Sequence, residues 1–519
     1  AVRGGGGVLK KILEPRDVAS FRRHPLLKHY ATGKPRSQQL TSIYFDTPDL
    51  YLQRSHTALR VRKAGSRWIQ TCKSGGQAAA GLHQRPEWES EVGGAAPDLH
   101  ALRGLLEPGS AVAALLAAPS LANRLLPIFT TQFKRTIWLL RSQAGDEVEL
   151  ALDQGEILHG GKRIPISEIE LELKAGNAAS LFELALALQQ TLPLRAANAS
   201  KAERGYAMHA PHAPAVVKAR PIELASGLTL EQGFQALLGN CLAQMQGNED
   251  GVVHGADPES LHQMRVGLRR LRALLSLFKK VIPAPPEIAE RLGWLAATLG
   301  PARDWEVLAV ATLDEAAKHC PDQRQLDSLR QLTFSEAGRR RHAVATAVTS
   351  RPYTRLLLLL GSWIEGRRWR EELDAGQVAA LSAPLEKFAV RKLAGLQKKL
   401  LKRGNRIKRQ DAARRHRVRI AAKKARYATE FFVSYFPARH THAYLAALGD
   451  LQDGLGADND RSVAVQLLQQ LAEQHPELAG SCGVAVSLLA AGGKHGKPEI
   501  GRLWRRFAGL KPPVRGHSS

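Results

Sequence analysis

Cysteine is scarce in this chain: Cys72, Cys241, Cys320 and Cys482 stand far apart, and none forms a CxxC pair. That spacing argues against a zinc site or a disulfide framework, favours a reducing cytoplasmic setting and leaves the four thiols as core residues. Long apolar runs are missing too. The longest, LLLLLGSWI from Leu356 to Ile364, has half of the roughly eighteen residues a transmembrane helix needs. Aromatic residues make up only 6%, which removes the stacking platforms that single-stranded nucleic-acid binding uses. Acid is in deficit, with 48 Asp and Glu against 74 Lys and Arg, a net charge of +26. Such an excess points to an anionic partner, namely nucleic acid, polyphosphate or a membrane surface. The start, AVRGGGGVLKK, has neither an initiator Met nor the apolar stretch of a secretory leader, and its glycine run reads as a processed, truncated or engineered terminus.

What is present is enough for several cores. At 519 residues, 44% of them hydrophobic, the chain is expected to form two to four domains. Up to about residue 206, segments such as ALRVRK, RWIQTCKS, EVELALDQGE and SEIELELK alternate with a period of two and read as strands, and Gly176 to Leu192 reads as a helix against the sheet. Residues 207–223, with three prolines and no clean period, form a linker. Helical spacing then dominates residues 224–510, with 511–519 as a tail. The cations are unevenly divided, at 27 basic against 19 acidic residues over 1–216 and 47 against 29 over the remainder.

The helical half repeats itself. HQMRVGLRRLR, from His262 to Arg272, returns 154 positions later as HRVRIAAKKAR, from His416 to Arg426. Leu-Gly segments then follow both, aligning Gly300 with Gly456 and Asp304 with Asp460. On a helix, His262, Arg265, Arg269 and Arg272 share one face, as do His416, Arg419, Lys423 and Arg426. Leu261, Met264, Leu268, Leu271 and Leu275 form a neighbouring apolar stripe for packing. From Lys387 to Arg426 there are seventeen Lys or Arg and one acid, Asp411. A basic helical face is ordinarily just solvated, but a repeat in register, holding like charges that repel by a few tenths of a kcal/mol per pair, favours a bound polyanion. Asp304 and Asp460, each following a glycine, read as helix caps.

These residues resemble the CHAD family, the conserved-histidine α-helical domains. The resemblance implies a pair of pseudo-symmetric all-α bundles around a basic groove that binds inorganic polyphosphate. It carries over to His262, Arg265, Arg269, Arg272, His416, Arg419, Lys423 and Arg426. A phosphate chain offers only charge and hydrogen-bond acceptors, which Arg, Lys and His suffice to meet. Specific nucleic-acid binding is not expected.

In the first half, Arg60 and Arg62 share one strand face, Glu168, Glu170, Glu172 and Lys174 another, and Glu147, Glu149 and Asp153 a third. Any one of these is ordinarily the wet side of a sheet. Together they suggest a closed antiparallel barrel with a charged bore, giving an α+β multidomain protein. YFDTPD, LRVRK, QTCKS, RPEWE, ELALDQGEI, IELELK and SKAERGY, in that order, resemble the CYTH family of triphosphate tunnel metalloenzymes over residues 6 to about 206, placing the domain at 1–206. The resemblance implies triphosphate binding by Lys10, Arg60, Arg62, Lys73, Arg85, Arg135 and Lys201. It also implies metal binding by Glu87, Glu149, Asp153, Glu170 and Glu172, with Asp153, Glu170 and Glu172 as catalytic carboxylates, and Mg or Mn as the ion driving inorganic triphosphate hydrolysis.

One departure bears on activity. The family opens with Glu-x-Glu-x-Lys, and here Gly6, Val8 and Lys10 fall at those positions, so the lysine persists without its glutamates. A loss of several powers of ten in rate is expected if each group contributes about 2 to 4 kcal/mol. Two readings stay open: a triphosphatase, or a binding module directed to polyphosphate granules without turnover. Nucleic-acid or anionic-membrane binding follows from charge alone and ranks behind both.

Overall fold

The computed structural model describes residues 2–3, 7–75, 77–79, 82–84, 86–197, 199–493 and 496–513. By backbone packing the chain forms two compact units, residues 1–214 with 349–368, and residues 215–348 with 369–519.

The first unit is built on a sheet of twelve strands: β1 (Val2–Arg3), β2 (Val8–Ile12), β3 (Arg36–Asp46), β4 (Thr57–Ala64), β5 (Arg67–Ser74), β6 (Gln77–Ala79), β7 (Leu82–Gln84), β8 (Glu87–Val92), β9 (Leu126–Arg141), β10 (Glu147–His159), β11 (Lys162–Ala175) and β12 (Arg195–Ala196). The path runs β1-β8-β5-β4-β3-β9-β10-β11-β2-β7-β6, with β12 on β2. The expected closed barrel is corrected by this order, because among the described residues no pairing joins β1 to β6. Both edges are strands of two and three residues, too short to extend a ladder.

Alternation sets the two faces. Leu59 and Val61 are fully buried with Leu52, Cys72 and Leu102, which turns Arg60 and Arg62 to the opposite side. Ile169 and Leu171 pack in a core with Leu181, Phe182, Ala185 and Leu188 of the helix Ala179–Gln189, leaving Glu168, Glu170 and Glu172 on the other face. The motif ends are tied together structurally. Asp46 of YFDTPD accepts from the backbone amides of Thr47, Leu52 and Gln53 and from the Tyr206 hydroxyl of SKAERGY at 3.1 Å. Gly205 lies so close to Phe129 that a Cβ there would sit 2.1 Å from its ring.

A segment from the helical half of the sequence completes this unit. In the helix Arg351–Glu365, Leu358 joins the Phe182 core, and a Cβ on Gly361 would meet the Phe182 ring at 2.0 Å. Arg351 Nη2 donates to the Gln189 carbonyl at 2.6 Å, and the Ala196 amide donates to Thr354 Oγ1 at 3.2 Å. The apolar LLLLLGSWI run is thus a buried packing helix. Among the described residues, no helix is long and apolar enough to cross a membrane.

The second unit is helical. The repeated stripes lie on the helices Pro258–Phe278 and Ala412–Phe431, and the Leu-Gly segments on Pro286–Val307 and Ala438–Gln474. Both stripe helices start at an aspartate N-cap five residues before the histidine: Asp257 accepts from the Glu259 amide and Asp411 from the Arg414 amide. Leu261, Met264, Leu268, Leu271 and Leu275 are buried. In the second copy smaller residues, Val418, Ala422, Ala425 and Thr429, are buried at the positions matching the last four. All four cysteines are free and buried.

Candidate functional sites

In the first unit the charged sheet face lines a cavity of about 550 Å³, with Lys10, Arg60, Arg62, Lys73, Arg135 and Lys201 and with Glu87, Glu149, Glu170 and Glu172 on its walls. Strand register accounts for the convergence. Arg135 on β9 stands opposite Asp153 on β10, Glu149 on β10 opposite Glu172 on β11, and Lys10 on β2 opposite Glu170. Arg85 and Gly6 lie outside the described residues.

Three carboxylates form the inner cluster: oxygens of Asp153, Glu168 and Glu170 lie within 4.8 Å of one another. They are met by cations. Arg135 forks onto Asp153 at 2.7 and 2.6 Å and reaches Glu170 at 2.5 Å. Lys201 contacts Asp153 at 2.7 Å and Glu170 at 3.0 Å as well as Glu168, and Lys10 contacts Glu170 at 3.1 Å. Burial raises the Asp153 and Glu170 carboxyls, but the surrounding cations outweigh it: Lys201 and Arg135 hold Asp153 below the usual carboxylate range, and Lys10, Lys201 and Arg135 hold Glu170 well below it. Glu168, which the motif comparison left out of the site, belongs to this cluster because it shares the strand face.

Elsewhere the cavity is short of anions. The Arg60 Nε is buried without a hydrogen-bond partner within the protein. Arg62 donates to Ser42 Oγ at 2.9 Å, and burial together with Arg60 and Arg135 lowers its pKa. Lys73 is ion-paired to Glu87, yet burial and Arg60 push its ammonium down to about 7.

The carboxylates differ in what they leave free for a divalent cation. The inner three are consumed by Arg135, Lys201 and Lys10. Glu149 and Glu172 face the cavity and share one cation, Lys174, at 3.5 and 2.9 Å, so two carboxylates on adjacent strands are available to a hard ion. On the strand beyond Glu172 the partner position is Val8, whose side chain offers no oxygen.

In the second unit a cavity of about 130 Å³ gathers His262, Arg265 and Arg269 from the first stripe helix and Arg419 from the second, with Arg303, Asp304, Asn459 and Asp460. Arg265 Nη1 lies 3.2 Å from Asp304, and Arg419 Nη2 lies 3.7 Å from Asp460. These aspartates, expected as caps, sit inside their helices and hold the equivalent arginine of each repeat. His262 Nδ1, Arg269 Nε and Arg419 Nε are buried without a protein hydrogen-bond partner. Lys423 is close enough to feel them: burial, Arg269 and Arg419 lower its ammonium to about 7. Burial and Arg303 likewise depress the His262 imidazole.

Other stripe residues stand outside this cavity. His416 is exposed and pairs with Asn459 Oδ1 at 2.9 Å, Arg426 donates to Glu430 at 2.8 Å, and Arg272 is exposed. Arg270, repeated as Lys424, turns inward to Gln244 and Asn240 at 2.7 and 2.8 Å. Sequence reading missed Arg303 and Asn459, which occupy equivalent positions of the repeat but differ in residue type.

Each unit thus holds a cavity lined by cations and carboxylates, and comparison with known proteins supplies the families. The chain contains a CYTH domain followed by a CHAD domain: the CYTH domain model matches residues 11–206 and the CHAD domain model residues 236–469. The protein of Haemophilus influenzae named inorganic triphosphatase is 38% identical over 172 residues, 32% of this chain and 45% of that one, so the chain spans less than half the length of this curated relative. The crystal structure of the CHAD domain from the plant Ricinus communis is 40% identical, covering 58% of this chain and 98% of that one with a TM-score of 0.53.

Proposed function

We propose that the CHAD half binds inorganic polyphosphate across its two stripe helices, arranged as pseudo-symmetric bundles, and that the CYTH half takes up triphosphate or a chain end. The observation that carries the first part is the convergence of Arg269 Nε and Arg419 Nε, buried donors from the two repeats with no protein acceptor, beside the likewise unpartnered His262 Nδ1. Leaving a buried donor unmade is costly, and a chain of phosphate oxygens satisfies all of them together. The equivalent Arg–Asp pairs support the two-bundle reading. Protein and granule would meet in the cytoplasm.

In the CYTH cavity, Arg60, Arg62 and Lys73 bind and orient the phosphates, and Arg135, Lys201 and Lys10 hold the inner carboxylates in place. Mg or Mn, when bound at Glu149 and Glu172, supplies Lewis-acid polarisation of a phosphoryl oxygen. Turnover is expected to be slow, since Val8 stands where a further carboxylate would support the ion. Titration of long-chain polyphosphate into the wild type and into a variant with Arg265, Arg269, Arg419 and Lys423 all changed to Glu tests the binding. Phosphate release from tripolyphosphate with Mg, in wild type and Val8→Glu, tests the cavity. Loss of binding in the first variant and a gain of about tenfold or more in rate in the second are expected. Unchanged polyphosphate binding would sink the stripe assignment. A Val8→Glu chain as inactive as wild type would favour the alternative, a granule-directed module without catalysis. Displacement of polyphosphate by duplex DNA at equal phosphate concentration would transfer the assignment to nucleic acid.

A further inference from the structure

The helical unit carries a second cationic concavity. A groove of about 460 Å³ is lined by Lys280, just past the helix Pro258–Phe278, by Arg391, Lys392 and Lys399 of Leu385–Gly404, and by Lys424 of Ala412–Phe431. It continues into another of about 450 Å³ through Lys399, which lines both. No carboxylate lines either groove. Among the described residues, none of the five named cations has an ion-pair partner; in the continuation Asp411 stands 3.9 Å from Arg414.

Such a surface is held together against its own repulsion. Burial, then Arg391 and Lys280, lowers the Lys392 ammonium, and burial, then Lys399 and Arg403, lowers that of Lys424. Concave like charge with low-dielectric walls focuses potential and concentrates anions. The helix Ala412–Phe431 connects the two regions, with Lys423 beside Arg269 and Arg419 and the next residue, Lys424, on the groove wall. The aromatic ring in the lining, Phe431, is fully buried and offers no base a stacking face.

We infer that this groove is a second phosphate-chain site, distinct from the His262 cavity, which extends the length of polyphosphate the unit grips. The inference rests on the reading of the CHAD half as a polyphosphate binder and adds a chain-length preference to it. A chain long enough to occupy both sites gains a second, intramolecular binding event; a short one does not.

Gly395 makes the test clean. It lies on the groove wall in the helix Leu385–Gly404, and a Cβ there meets nothing within 4 Å. Gly395→Glu therefore adds a negative charge to the groove wall at a position with open space for a Cβ, Gly395→Ala controls for the Cβ and helix propensity, and Lys392→Glu with Lys399→Glu provides an independent route. Long-chain and short-chain polyphosphate fractions and duplex DNA are titrated into the full chain over a range of salt. Expected are a loss of about tenfold or more in long-chain affinity and a shallower salt slope for Gly395→Glu and the double variant, with short-chain affinity unchanged and Gly395→Ala like wild type. Unchanged long-chain affinity in both charged variants would overturn the second site alone. Failure of the wild type to bind polyphosphate would overturn this site together with the reading beneath it. DNA binding as tight as polyphosphate and equally sensitive to Gly395→Glu would overturn the assignment in favour of a nucleic-acid surface.

Discussion

Arg265 and Asp304, 39 positions apart in the chain, meet at 3.2 Å, and their repeat equivalents Arg419 and Asp460 meet at 3.7 Å. Each pair is partly exposed, so its own contribution to stability is small. Its consequence lies in the site: each aspartate competes with an incoming phosphate for the guanidinium it holds. Asp304→Asn keeps a hydrogen-bond acceptor while removing the charge, and is expected to tighten polyphosphate binding about threefold, with Asp460→Asn similar. Calorimetric titration checks this. Weaker binding in either variant would mean that the carboxylates position the arginines and that this outweighs the competition.

Proton linkage should be visible at the same site. Burial, Arg269 and Arg419 lower Lys423 to about 7 in the free protein. A bound phosphate chain favours the charged ammonium and raises that pKa in the complex. Binding above pH 7 therefore takes up a proton, and affinity falls as pH rises from about 7 towards the raised value in the complex. Titrations at pH 8 in buffers of different ionisation enthalpy are expected to give net uptake that Lys423→Arg largely removes. Equal uptake in that variant would assign the proton to another group.

The elements that were legible in sequence are those encoded by local period. Leu59 and Val61 against Arg60 and Arg62 follow from strand alternation, and Leu261, Met264 and Leu268 against His262, Arg265 and Arg269 follow from helical spacing. Arg270 shows where the pattern misleads. It repeats in register, yet its helix position faces Gln244 and Asn240, so repetition marked a charge whose neighbourhood only the tertiary packing decides. The pairing of Arg265 with Asp304 and the neutralisation of Asp153, Glu168 and Glu170 depend on contacts between distant elements. Closure of the sheet was likewise not readable from strand content, because it depends on edge pairing.

The inner cluster of the CYTH unit makes a stability prediction. The Asp153 side chain is wholly buried between Arg135 and Lys201. Asp153→Asn would leave those cations with one charge fewer to face, a change that costs about 3 to 5 kcal/mol when a buried pair is broken. Thermal denaturation is expected to shift down by about 10 °C. The folded pKa values of Asp153 and Glu170 are depressed, so the stability they contribute is present above the unfolded carboxylate value, about 4, and is lost as pH falls through the folded values. A variant with wild-type melting and wild-type acid unfolding would show that this cluster contributes no net stability.

The helix Arg351–Glu365 sets a limit on dividing the protein. It packs on the helix Ala179–Gln189, so a fragment ending at residue 214 would uncover the Phe182 face that meets Gly361, and would lose the Arg351 and Thr354 hydrogen bonds. Apolar area of that kind is worth about 25 cal/mol per Å² when removed from water, and its exposure on a small fragment favours aggregation or loss of fixed packing. Residues 1–214 alone are expected to be poorly soluble or to show fast amide exchange in Ala179–Gln189. Joining residues 349–368 to their C-terminus by a flexible linker is expected to restore protection. Exchange measured by mass spectrometry on the two fragments decides the matter: protection in the shorter fragment equal to that in the whole chain would mean that the inserted helix is an accessory layer and that the sheet with Ala179–Gln189 already forms a complete core.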